Sequence, residues 1–134
     1  MIKKLPEGIF GIKSRLNFEE TVEFLLKNLE DNGFRVFTVI DHASAASNVG
    51  IKLRPTTVII FGNPSGGTLL MSRSETIGID LPSKVLVRET STGVSVYFST
   101  LEFVTRRHGI IGMDNDPRSF DSKIEGILNQ LLQV

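Results

Sequence analysis

The chain has 134 residues, fifteen Lys plus Arg balanced by fifteen Asp plus Glu, 40% hydrophobic residues and no cysteine. That size and composition predict a single domain over residues 1–134 with a real core, and they exclude disulfides, thiolate catalysis and cysteine-ligated metals. Zero net charge argues against a nucleic-acid or anionic-membrane partner; with no signal-like start and no apolar window of spanning length, the expectation is a cytoplasmic protein.

Ile9 to Arg15 reads as a first strand. Asn17 and Glu20 then stand at capping-box spacing ahead of a helix over 18–32, whose stripe is Phe18, Val22, Leu25 and Leu29 and whose end is Asn32-Gly33. Phe34 to Asp41 is a second strand with apolar residues on both sides. Asp41 is suited to N-cap a short helix of small residues, which Gly50 closes in a left-handed conformation. Pro55 marks the start of a further strand, Thr56 to Phe61, β-branched and aromatic as a strand buried on both faces would be. Gly62 to Thr68 reads as a tight turn, with a second short helix leaving from Thr68-Leu69-Leu70-Met71.

Ser72 to Ser83 reads as a loop. Lys84–Glu89 and Val94–Ser99 form a hairpin with one apolar and one mixed face, and Arg88 and Tyr97 lie on it, either solvated or lining a site. Leu101 to Gly112 shows no clear element; its Arg106-Arg107-His108 cluster is either a solvated connection or an anion contact. Asp116 and Pro117 read as N-cap and first position of a last helix, 117–132, with Phe120, Ile124, Ile127 and Leu131 on its stripe. Two long helices with one-sided stripes among these strands predict an α+β domain, both helices lying on one face of a mostly antiparallel sheet.

The chemistry-bearing residues concentrate between Asp41 and Met71. Gly62 and Gly67 have the spacing of a phosphate-binding loop, but Thr68 stands where its lysine belongs, which removes the main charge stabiliser of nucleotide hydrolysis. Gly66 and Gly67 either aim backbone N–H groups at an anion or simply permit a sharp turn. His42 falls in the first turn of its short helix, where the dipole suits a neutral imidazole as structural hydrogen-bonder or as acid/base. With two histidines and no ligand spacing, a metal site is not expected, and no Gly-x-Ser-x-Gly elbow supplies a nucleophile. Asp114-Asn115-Asp116 resembles part of a calcium loop but lacks the Gly and Glu that complete one.

Asp41-His42, the small-residue helix, Gly50, Leu53-Arg54-Pro55-Thr56, Phe61-Gly62-Asn63-Pro64 and Gly67-Thr68 to Met71 together resemble the signature of the bacterial and archaeal domain-of-unknown-function 302 family. The resemblance spans nearly the whole chain, and Leu53 to Met71 is its specific part. It implies a TATA-binding-protein-like domain: a curved, mostly antiparallel sheet, two long helices on one face in β-α-β4-α order, and short helices besides. It implies that no activity has been assigned, and any cofactor is unknown.

Three functional readings follow. The first is a pocket for a small polar or anionic ligand built by residues 41–71, with His42, Arg54, Asn63, Gly66, Gly67 and Thr68 as its binding residues. Arg54, framed by Pro55, would clamp the ligand's anion or else a carboxylate such as Asp41 or Asp80. The second is an enzyme with His42 as general acid/base and Arg54 as anchor. The third is a non-catalytic homodimeric module, using the apolar faces of Phe34–Val39 and Thr57–Phe61.

Overall fold

The computed structural model describes residues 4–112 and 117–132. Its elements are β1 (Ile9–Ser14), α1 (Phe18–Asp31), β2 (Arg35–Asp41), α2 (His42–Asn48), β3 (Thr56–Gly62), α3 (Pro64–Arg73), β4 (Ser83–Thr90), β5 (Gly93–Ser99), α4 (Leu101–Arg107) and α5 (Pro117–Asn129). Short 3-10 turns at Ile77–Ile79 and Gln130–Leu132 complete the set. The calcium-like Asp114-Asn115-Asp116 and the expected cap at Asp116 lie outside the described residues.

The five strands form one sheet in the order β1-β5-β4-β3-β2, with every neighbouring pair antiparallel. Period-two alternation sends Ile12, Val94, Val96, Phe98, Val85, Val87, Ile59 and Phe61 to one face. These pack with Leu25 and Leu29 of α1 and Ile124, Ile127 and Leu128 of α5 in a single core, so both long helices lie on one face, as their stripes require. The domain is therefore α+β.

Local chemistry explains the helix starts. Asn17 Oδ1 accepts from Glu20 N at 2.8 Å and Glu20 Oε1 accepts in return from Asn17 N at 3.3 Å, the reciprocal pair its spacing predicts. Asp41 caps α2 through Ser44 N at 2.9 Å, and Gly50 takes φ +77° just after the helix. The expected turn at Gly62–Thr68 is instead the beginning of a ten-residue helix. Asn63 caps it and Pro64 occupies its first turn, and neither Gly66 nor Gly67 has a positive φ.

The opposite sheet face carries a cross-strand row of Gly11, Tyr97, Leu86, Val58 and Ile40. Lys13, Lys84 and Arg88 flank this row, and among the described residues no strand position of that face is acidic. β3 is buried through most of its length because β2 and β4 cover both of its edges. β2 is the edge strand and is largely exposed, with a register shift between Val36 and Thr38. The two apolar strands thus differ: one is central, the other rims the sheet.

Candidate functional site

The candidate site residues divide between the two ends of β3. The pairing of Asp41 with Thr57 puts the start of α2, where His42 stands, beside the start of β3, which Arg54 precedes by two residues. Both side chains are exposed, and among the described residues no hydrogen bond or ion pair joins them or ties either side chain to another group. The Arg54 carbonyl accepts from Thr56 Oγ1 at 2.8 Å, and the Pro55 carbonyl accepts from Glu89 N at 2.9 Å, so the backbone there is fixed while the guanidinium is not. Asn63, Gly66, Gly67 and Thr68 follow the far end of the strand. Seven residues of β3 at about 3.3 Å each separate the two groups by roughly 20 Å.

A cavity of about 940 Å³ opens at the α3 end. Gly62, Asn63, Gly66, Gly67 and Thr68 form one side of it, and Leu81, Pro82 and Ser83 another. Phe34, Phe37 and Phe120 supply aromatic surface, and Lys123 is the one charged residue among the described lining residues. Neither His42 nor Arg54 borders it. The aromatic wall is built by packing: Phe34 meets Phe120 edge-on at 5.4 Å and Phe61 at 5.8 Å, and Phe61 stacks on Phe120 at 6.2 Å. Phe120 and Lys123 stand three apart on α5 and so share a face, with the Lys123 ammonium 5.8 Å from the centre of the Phe34 ring.

The glycine segment does not offer the free donors expected of an anion cradle. Ser65 N and Gly66 N donate to Asn63 Oδ1 at 3.0 and 3.4 Å, and Gly67 N donates to the Asn63 carbonyl at 3.0 Å. Thr68 Oγ1 donates to the Pro64 carbonyl at 2.8 Å. The first turn of α3 is self-satisfied, and the glycines serve instead to keep that wall low. A Cβ on Gly67 would meet nothing within 4 Å.

Two acidic residues brace the wall: Asp121, which the sequence did not single out, and Asp80, which the sequence offered as a partner for Arg54 but which bonds Arg107 and His108 instead. Asp121, buried on α5, accepts from Leu101 N at 2.7 Å and Glu102 N at 2.9 Å, which fixes the start of α4 and with it Leu101, a cavity residue. Burial raises its carboxyl above the usual 3.8, against the lowering effect of those two bonds. Its sequence signal is an acid beside Phe120 on the stripe that Ile124 and Leu128 continue. Asp80 takes His108 Nε2 at 2.5 Å and Arg107 at 2.6 Å, and the hydrogen bond from His108 is the largest of the effects holding its carboxyl below 3.8.

His108 Nδ1 also lies 2.7 Å from Thr76 Oγ1, so Thr76, His108 and Asp80 form a chain of the hydroxyl–imidazole–carboxylate type. The backbone N–H groups of Thr76 and Ile77 already bond Ser74 Oγ at 3.3 and 3.2 Å and are not directed at a developing oxyanion. The chain acts as a tie between the end of α4 and the turn at Ile77. Beneath it Leu70, Ile77 and Val104 make a second small core that seats α3. Arg106 pairs with Glu7 at 2.9 Å and Glu102 at 3.6 Å, so the basic cluster is neutralised within the fold. Among the described residues no group of three or more His, Asp or Glu side chains could hold a metal ion.

Comparison with known proteins agrees with this architecture. The model of the "Domain of unknown function DUF302" family matches residues 10–131, and the chain belongs to that family. A crystal structure of an uncharacterized conserved DUF302 protein from Bacillus stearothermophilus superposes with a TM-score of 0.72 over 95% of this chain and 97% of that one. At 18% identity, that likeness shows the fold alone. Over 117 residues, 87% of this chain, the sequence is 36% identical to fluoride-specific ion channels FluC 1 of Brucella suis and of Brucella abortus. The chain spans 46% and 43% of those relatives, and no helix among its described residues is long and apolar enough to cross a membrane.

Proposed function

We propose that this DUF302 domain binds a small molecule in the cavity between α3, the Leu81–Ser83 segment and α5. The observation that carries the reading is the cavity itself: about 940 Å³, aromatic on one side, glycine-walled on another, and within the size range of small-molecule sites. The motif between Leu53 and Met71 then has two separate tasks. Its first part starts a central strand, and its second part builds the wall of the site. A reading with His42 as acid/base and Arg54 as anchor would need a separate site at the other end of β3, where both side chains are exposed.

Filling the site tests the reading. Gly67→Leu adds a side chain where its Cβ meets no neighbour, so the fold should tolerate it while the cavity shrinks. Small aromatic and aliphatic compounds that raise the melting temperature of the wild type should fail to do so in this variant. Compounds that stabilise both proteins equally would place the site elsewhere.

The edge strand supports a second reading, self-association. Phe37, Val39 and Ile40 of β2 are each 40% exposed or more, whereas the open sheet face presents Lys13, Lys84 and Arg88, which would repel a second copy of itself. The reading is a dimer through β2. Sedimentation at tens of micromolar should show it, and Ile40→Lys should abolish it; a wild-type monomer at that concentration would count against it.

A further inference from the structure

We infer that the ligand of this cavity is a monoanion with an aromatic or otherwise apolar body, its charge held by Lys123; the inference rests on the cavity being the binding site. No described lining residue is acidic, so a cationic ligand would leave water without a countercharge. A polyanion such as a nucleotide needs several cations or a row of free backbone donors. The described lining residues supply one cation, and the N–H groups at the start of α3 are already bonded to Asn63.

A neutral hydrocarbon would cover Lys123 and leave its ammonium unpaired. That ammonium is held 5.8 Å from the Phe34 ring and has no ion pair among the described residues. Among the described residues Arg107, Arg106 and Lys27 each carry a carboxylate partner, whereas Lys123, like Arg54, carries none. A ring or chain lying against Phe34, Phe37 and Phe120, with one carboxylate or sulfonate directed at Lys123, satisfies both surfaces at once. The hydroxyls of Ser83 and Ser119 line the same cavity and can take the anion's remaining lone pairs.

Three probes of one shape test this: 2-naphthoate, 2-naphthylmethanol and 2-naphthylmethylammonium, titrated calorimetrically into the full chain and into Lys123→Met. Lys123 is exposed, so the variant should keep the fold, with circular dichroism as the check. Naphthoate should bind the wild type about tenfold or more tightly than the alcohol, and the ammonium compound more weakly still. In Lys123→Met the naphthoate advantage should vanish while the alcohol is unaffected. Equal binding of naphthoate and alcohol to the wild type, blocked in both cases by Gly67→Leu, would overturn the monoanion assignment and leave the cavity standing. Binding that Gly67→Leu does not disturb, or no binding by any probe, would overturn both.

Discussion

The two ends of β3 are made from one sequence motif and differ in almost every physical respect. At the start of the strand, His42 and Arg54 are exposed and without partners among the described residues. At its end, Phe61 is fully buried within four packed rings and the chain turns straight into α3, which walls a cavity. A motif that is compact in sequence is not compact in space when a strand runs through its middle. The consequence is a clear ranking of substitutions along a short stretch of chain.

The largest effect should come from Phe61→Ala. Its ring meets Phe34, Phe98 and Phe120, and removing it should cost about 3–5 kcal/mol in denaturant unfolding. A loss near zero would mean that the aromatic end is not the organising core. Asp121→Ala comes next: it strands the N–H groups of Leu101 and Glu102 in a partly buried setting, for a loss of about 1–3 kcal/mol.

The pH dependence of the two bracing acids should run in opposite directions. Asp80 has a folded value lowered below 3.8, so its tie contributes above that pH and is lost as pH falls through the folded value. Asp121 has a folded value raised above 3.8, so its contribution is fullest below 3.8 and declines as pH rises through the folded value. Unfolding of Asp80→Asn and Asp121→Asn across acidic pH measures both. On acidification the gap to wild type should narrow for the first and widen for the second; parallel curves would show that neither linkage operates.

The smallest effect should be that of Arg54→Ala. The side chain is exposed and makes no hydrogen bond or ion pair with Asp41 or Asp80, which are engaged by Ser44 N and by His108 with Arg107. Its removal should change stability by about 0.5 kcal/mol or less. A loss of several kcal/mol would reveal a structural pair at that end of the sheet and break the contrast.

Much of the fold was legible because its signals are local. The capping box of α1, the one-sided stripes of α1 and α5 and the hairpin at 83–99 each rest on residues a few positions apart. The start of α3 was misread because Gly66 and Gly67 are poor helix formers, although Asn63-Pro64 is a sound cap followed by a first-turn proline. α4 is seven residues long, too short for periodicity, and its start is fixed by Asp121, twenty residues away from Leu101. The cavity was half legible: its glycine wall came from the motif, but Lys123 and Phe120 read only as helix residues. Their meeting with Phe34 is a product of tertiary packing.

The most direct measurement is an amide chemical-shift titration of the full chain with 2-naphthoate. The account predicts progressive, saturable shifts at Gly66, Gly67, Leu70, Phe120 and Lys123, with His42, Arg54 and Thr56 unmoved. Shifts centred on His42 and Arg54, with the α3 end silent, would contradict it.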